Sequence, residues 1–380
     1  MKPVIRNLDP IVEKKLNNFK TLLYIKDFPI YFGTTKDNNP KNDKCIDQKW
    51  IINLDTGNIF LKKLVPVKEL YTGKQHSAGT VGSLWLEHHK VFAKFIRKFS
   101  PKSIFEIGGA HGLLSLAYSK YKKIDWTILE PDPNPAKGVQ AKYIKGFIEE
   151  YKKPINVNST IVHSHVFEHI YKPAEFIKKI SKKMKFGQKM IFSVPNISQM
   201  IQRKYTNGLN FEHTIFLNKE NIAYLLKKES LRIIEIKKFL KDHSIFYCVE
   251  KIDFIEKAPK FKINIAYHRQ FNNFVNYHFS LVNQLNNKIE KHENKNIFLF
   301  GGHIFSQFLL KIGLKEDKII YILDNDPKKN NQRLYGTNTK VKKPKILNKY
   351  KNPLIILKAG VYNDEIKRGI LKINSKVKFI

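Results

Sequence analysis

From Lys102 onward, short apolar segments with strand character alternate with segments of helical periodicity: "SIFEIG", a helix from Gly112, "DWTILE", "YIKGFI", "STIVHSHV", a helix from Pro173, and "KMIFSVP". Parallel strands need long crossover connections, which helices supply, so this alternation predicts a mostly parallel sheet covered on both faces. "LRIIEIKKFL" and "HSIFYCVEKI" then follow each other with a short connection, which makes an antiparallel edge. After the polar stretch "EKHENKN" the alternation restarts with "NIFLFGG", a helix, "KIIYILDNDP", "PLIILKAG" and a last helix and strand. A second, smaller α/β unit is therefore expected. Between the two, Phe271, Phe274, His278, Leu281, Leu285 and Ile289 recur at helical spacing and predict a linking helix whose stripe is core, His278 included. Ahead of the first unit, "KWIINLDTGNIFL" alternates on both sides of a turn and marks a β-rich start. A helix follows from about Leu84 to Phe99. The expected division is a β-rich region over 1–80, the main α/β domain over 81–258, a linking helix over 259–295 and the second α/β domain over 296–380.

Length and composition fit several packed cores, with 380 residues of which 42% are hydrophobic. No apolar run reaches the roughly 18 residues that a membrane span needs. The first residues carry Asp9, Glu13, Lys14 and Lys15 and lack the apolar segment of a secretion signal. Two cysteines, Cys45 and Cys248, cannot form a disulfide framework or a four-thiolate zinc site, so the expectation is a cytoplasmic, reducing setting. Against 33 acidic residues the chain sets 69 Lys and Arg, a net charge of +36 that would attract polyanions. The excess is lysine spread over every segment, with no arginine-rich arm or stripe. That scatter reads as a solvated coat, and it disfavours a nucleic-acid partner; phosphorylated or nucleotide-linked small substrates would gain from the same field.

In "SIFEIGGAHGLLS" a buried-looking strand runs through Gly108, Gly109 and Gly112 into a helix, a turn that lets a ligand approach backbone N–H groups. Alone this is an ordinary strand-to-helix turn. The next strand, however, ends in Glu130, at the distance where an acidic residue meets ribose hydroxyls. The later "FGGHIFS" with Asp324 imitates the same fingerprint, but Ser306 replaces its third glycine, which weighs against NAD binding there. Glu106, two residues before the first glycine, also weighs against a dinucleotide, because a carboxylate there repels a pyrophosphate and tolerates a cation.

"E-x-G-G-x-x-G" over Glu106–Gly112 resembles the first motif of class I S-adenosylmethionine-dependent methyltransferases, and "ILEPDP", "IVHSHVFEHIYKP" and "FSVPN" resemble later ones in order. More widely, "HSAGTVGSLWLEHH", "NFEHTIFL" and the series "LFGGHIFSQFLLKIG", "YILDNDPKKN", "LYGT", "YNDEI" resemble the three-domain nucleotide-sugar C-methyltransferases. The resemblance implies S-adenosyl-L-methionine as cofactor, held by Glu106, Gly108, Gly109, Gly112, Glu130 and His165. It implies His213 as base with Glu212 beside it; His169, at the end of the fourth strand, reads as a structural residue. Asn210, Gly301, Gly302, Asp324 and Asn363 would face the acceptor, a small sugar or nucleotide sugar of surface glycan biosynthesis. Two departures stand out. No metal is expected, because the family's cysteine-rich zinc site has only Cys45 here. Asn210 stands where the family has a tyrosine, and an amide is no phenolic acid, so C- and O-methylation both stay open. The competing readings are an RNA-modifying methyltransferase, motivated by charge, and a NAD-dependent oxidoreductase built on the last domain.

Overall fold

The computed structural model describes residues 2–71, 83–240, 243–253, 259–292, 296–359 and 363–380. Its central sheet has seven strands: β1 (Ser103–Ile107), β2 (Asp125–Glu130), β3 (Lys142–Lys145), β4 (Ser159–Ser164), β5 (Lys189–Pro195), β6 (Leu231–Phe239) and β7 (Ser244–Lys251). They lie in the order β3-β2-β1-β4-β5-β7-β6. The first five are parallel, and β7 runs antiparallel between β5 and β6, as the short connection requires. Successive side chains point to opposite faces. Phe105 and Ile107 therefore join one core with Ile161, Phe176 and Phe192, while Ile104 joins Phe92, Phe95, Leu114 and Phe246 in the other. Helices cover both faces, including Ser83–Arg97, Leu113–Ser119 and Pro173–Lys183.

The second sheet comprises β8 (Ile297–Phe300), β9 (Ile319–Leu323), β10 (Val341–Lys342), β11 (Leu354–Ile356) and β12 (Lys378–Phe379), all parallel, in the order β10-β9-β8-β11-β12. Both sheets thus reverse direction of growth at their first strand, and in open α/β sheets ligands bind at the carboxyl ends of the strands beside that point.

The N-terminal region folds as a three-stranded antiparallel sheet, Phe19–Pro29, Cys45–Asn53 and Ile59–Leu61. It does not pack apart. Trp50 and Phe28 share one core with Phe216, with Phe271 and Phe274 of the helix Ala266–Glu290, and with Ile297, Phe308 and Ile322 of the second α/β unit. The pair Thr34–Thr35 adds to Arg333–Leu334, and the buried Arg333 and Asp43 form a two-pronged ion pair beside it. His278 is buried, with Nδ1 at 2.9 Å from the Phe274 carbonyl oxygen. Among the described residues, no helix is long and apolar enough to cross a membrane.

Candidate active site

At the end of β1 the chain turns sharply, because the Gly108 N–H donates to the Leu129 carbonyl at 2.8 Å. Gly108 takes φ +69°, and a Cβ there would sit 2.6 Å from Val166 Cγ2. At Gly109 a Cβ would come within 2.7 Å of Ile128 Cγ2 and 2.8 Å of Glu106 Cδ, so the loop can lie this close to the strand ends only as glycine. Gly112 caps the helix Leu113–Ser119. Glu130 accepts N–H bonds from Ala110 at 2.9 Å and Asp132 at 3.2 Å, which ties the tip of β2 to the loop. Burial raises the pKa of Glu130, and those backbone bonds oppose the rise. Glu106 is 1% exposed and accepts the Trp126 indole N–H at 2.7 Å. Burial pushes its carboxyl up to about 8 against the opposing effect of Trp126, and Glu130 adds to the rise.

Beyond β4, His165 has φ +52°, and both its ring nitrogens are engaged. Nδ1 lies 3.1 Å from Glu168 Oε1 and Nε2 lies 2.9 Å from Ser244 Oγ. His165 thus lines the cleft with both nitrogens already engaged. Glu168 is 3% exposed; burial alone would raise its pKa, but His165, His169 and His213 hold it down to about 2. His169 Nδ1 is 2.8 Å from the Tyr71 hydroxyl and 3.8 Å from Glu212 Oε2, and the His213 ring stands edge-on at 4.9 Å. Polar atoms of Glu168, His169 and His213 lie within 4.8 Å of one another. Burial lifts the Glu212 carboxyl to about 8 and lowers the pKa of His213. The two carboxyls of one cluster are thereby pushed to opposite protonation states at neutral pH.

Asn210 holds the loop that presents this pair. Its Oδ1 accepts the N–H groups of Glu212 and His213, each at 2.9 Å, and its amide N–H donates to the Asn207 carbonyl at 2.9 Å. The buried Arg6 guanidinium secures the next residue, donating to the Thr214 carbonyl at 2.6 Å, to its hydroxyl at 3.0 Å and to the Tyr171 carbonyl at 2.8 Å.

In the second sheet, Gly301 ends β8 with φ +110° and the Gly302 N–H donates to Asp324 Oδ2 at 2.8 Å. Lys329 Nζ meets the same oxygen at 2.9 Å, and the Asp326 N–H donates to Oδ1 at 2.9 Å. Asp324 thus closes the glycine turn and anchors a lysine. The Ser306 hydroxyl donates to the Gly301 carbonyl, which fills the place of a third glycine. Asn363 opens the helix Asn363–Ile373, where its Oδ1 accepts the Ala359 N–H at 2.7 Å. Cys45 and Cys248 belong to different sheets.

One cleft of 1740 Å³ joins these pieces. Gly108, Gly109 and Glu130 line it on the central-sheet side; Tyr71, Glu212 and His213 line its middle; Gly301, Asp324, Lys329 and Lys358 line the far side. Sequence reasoning left out Tyr71 and Glu168 and set His169 aside as structural, although all three stand in the acid–base cluster. The signal available was the "FEH" triplet just beyond a parallel strand; the tyrosine-ended helix Val67–Tyr71, far earlier in the chain, meets it through Tyr71 and His169. The segment "TGKQHSAGTVG" lies outside the described residues.

Residues 84–236 match the family model for a methyltransferase domain. Those residues therefore form a methyltransferase domain, and their sheet order and glycine turn are of the class I Rossmann-like form. The enzyme is S-adenosylmethionine-dependent, with that compound as cofactor. Similar solved structures include the plantazolicin methyltransferase BpumL bound to a monoazolic desmethylPZN analog and SAH, at 12% identity over 45% of this chain and 84% of that one, with TM-score 0.36. A methyltransferase from Mesorhizobium loti matches at 9% identity over 42% and 96%, with TM-score 0.36. The N-methyltransferase NodS from Bradyrhizobium japonicum WM9 matches at 13% identity over 45% and 97%, with TM-score 0.34. No curated protein matches the chain.

Proposed function

We propose that the enzyme methylates a small sugar or nucleotide-sugar acceptor, as surface glycan biosynthesis requires. The observation that carries this is the shared cleft. At 1740 Å³ it exceeds the about 300–1,000 Å³ of a single-ligand site, and two sheets open into it. Glu106, Gly108, Gly109, Gly112 and Glu130 hold the cofactor, with Glu130 toward the ribose hydroxyls and His165 as a wall. The cofactor supplies an electrophilic methyl group on a sulfonium. Lys329 and Lys358, with Gly301, Gly302, Asp324 and Asn363 shaping their loops, offer cations to a diphosphate at the far side.

His213, whose lowered pKa keeps it neutral, takes the proton from the acceptor atom, and the ionised Glu168 stabilises the imidazolium that forms. Glu212, protonated, and Tyr71, through its contact with His169, present donors to the oxygen of the acceptor. A phenol therefore stands near the base although Asn210 is spent on its own loop. Both an α-carbon beside a ketone and a hydroxyl can use this arrangement. Incubation with S-adenosylmethionine and a panel of nucleoside diphosphate sugars, followed by mass spectrometry, should give a product heavier by one methylene. Methylation of RNA with no sugar product, or RNA retention in a gel shift at physiological salt, would replace this reading with the RNA one.

A further inference from the structure

Glu168 and His169 sit in the short turn Phe167–His169 just beyond β4, and His213 reaches them on the loop that Asn210 holds. A carboxylate oxygen and a ring nitrogen from each histidine lie within 4.8 Å of one another. A cation held by such donors at about 2.0–2.2 Å spaces them about 3–4 Å apart, so small side-chain rotations close the set. His169 Nε2 is already 3.8 Å from Glu168 Oε1.

The donors are also oriented from behind, as metal ligands are. The second ring nitrogen of His169, Nδ1, lies 2.8 Å from the Tyr71 hydroxyl. With Nδ1–H donating to that hydroxyl, the lone pair is on Nε2, the nitrogen that faces Glu168. Glu168 Oε1 has His165 Nδ1 at 3.1 Å, and His165 Nε2 is fixed in turn by Ser244 Oγ at 2.9 Å. Glu168 Oε2 belongs to a side chain 4% exposed and has no hydrogen-bond partner among the described residues. Water does not reach that oxygen. A metal ion approaches a ligand atom more closely than water does, about 2.1 Å against about 2.8 Å, so the same space admits it. His169 and His213 are only partly buried and line the cleft, which gives the ion its entry and an open coordination position. Two imidazoles and a carboxylate suit zinc, cobalt or nickel, whereas magnesium and calcium take oxygen donors. The scarcity of cysteine excludes a thiolate centre and has no bearing on this nitrogen–oxygen set.

We propose that Glu168, His169 and His213 bind a divalent transition metal of the zinc type, and that the bound ion silences methyl transfer. The site stands on its own geometry; the silencing rests on the reading of His213 as base, because a lone pair given to a metal takes no proton. Titration of the untagged chain with Co²⁺, which absorbs in the visible at such sites, is the test. Wild type should take up a single equivalent, and Zn²⁺ should displace it. His169→Gln and His213→Gln should each weaken uptake at least about 100-fold, and Tyr71→Phe, which removes only an outer partner, about tenfold, with circular dichroism checking each fold. No uptake by wild type, or uptake unchanged in both histidine variants, as surface histidines would give, overturns the site. Turnover of whichever nucleoside diphosphate sugar is methylated should fall in step with Zn²⁺ occupancy and return on chelation. Undiminished turnover at full occupancy overturns the silencing, and the base role of His213 with it. A panel in which no sugar is methylated ends the acceptor reading alone, because the Co²⁺ titration decides the site without turnover.

Discussion

Glu106→Gln probes the charge design of the cofactor site. With its carboxyl pushed up to about 8, Glu106 is protonated in the free protein at neutral pH. At pH 7 that is a protonated fraction of roughly 0.9. A sulfonium placed about 4 Å away would attract the carboxylate by roughly 4 kcal/mol at an effective dielectric of 20. That attraction equals about 3 pH units, enough to ionise the group. Binding S-adenosylmethionine at pH 7 should therefore release close to one proton, and binding the uncharged S-adenosylhomocysteine almost none. Calorimetric titration in two buffers of different ionisation enthalpy reads that number directly. Glu106→Gln should bring both ligands to zero. Equal release for the two ligands in wild type, or release that persists in the variant, would refute the argument. The same group has a stability signature: its folded pKa lies above the unfolded value, so its contribution is present in acid and is lost as pH rises through about 8. Glu106→Gln should flatten that fall in the urea midpoint, which runs from the ordinary carboxyl value of 4.5 up to about pH 8.

Glu130→Ala should weaken S-adenosylhomocysteine binding by about 1.5–3 kcal/mol in calorimetry, through loss of a charged acceptor; unchanged affinity in a folded protein would remove the ribose assignment. Asp43→Ala leaves the Arg333 guanidinium buried without its carboxylate. Denaturant unfolding should show a loss of about 3–5 kcal/mol. Wild-type kcat should decline as pH rises through about 8, whereas Glu212→Gln should keep most of the turnover, because Gln mimics the protonated acid, and should lack that decline. His213→Ala should lower kcat by about 10²–10⁴-fold with little change in cofactor affinity; near wild-type turnover would sink the base assignment.

What the sequence displays is what short stretches of chain decide alone. The order of strands and helices follows from local apolar periodicity, and the glycine loop with Glu106 and Glu130 sits on consecutive elements, so both could be read directly. The acid–base cluster could not, because Tyr71, Glu168, His169, Glu212 and His213 come from three separate segments whose meeting is a property of packing. Asn210 looks like a lost catalytic tyrosine when compared by position, but its spacing to Glu212 and His213 is that of an Asn side chain capping its own turn. Asp324 shows the opposite failure. A strand, a glycine pair and a later acid suggest a ribose ligand, yet Lys329, five residues on, pairs with the carboxylate that also closes the Gly302 turn. The same motif therefore serves two ends in this chain. At β1 the partner of Glu130 is backbone N–H, which leaves the carboxylate's remaining lone pairs to the cleft. At β8 the acid is already matched by a cation, so that turn gains its use from the lysine it holds in place.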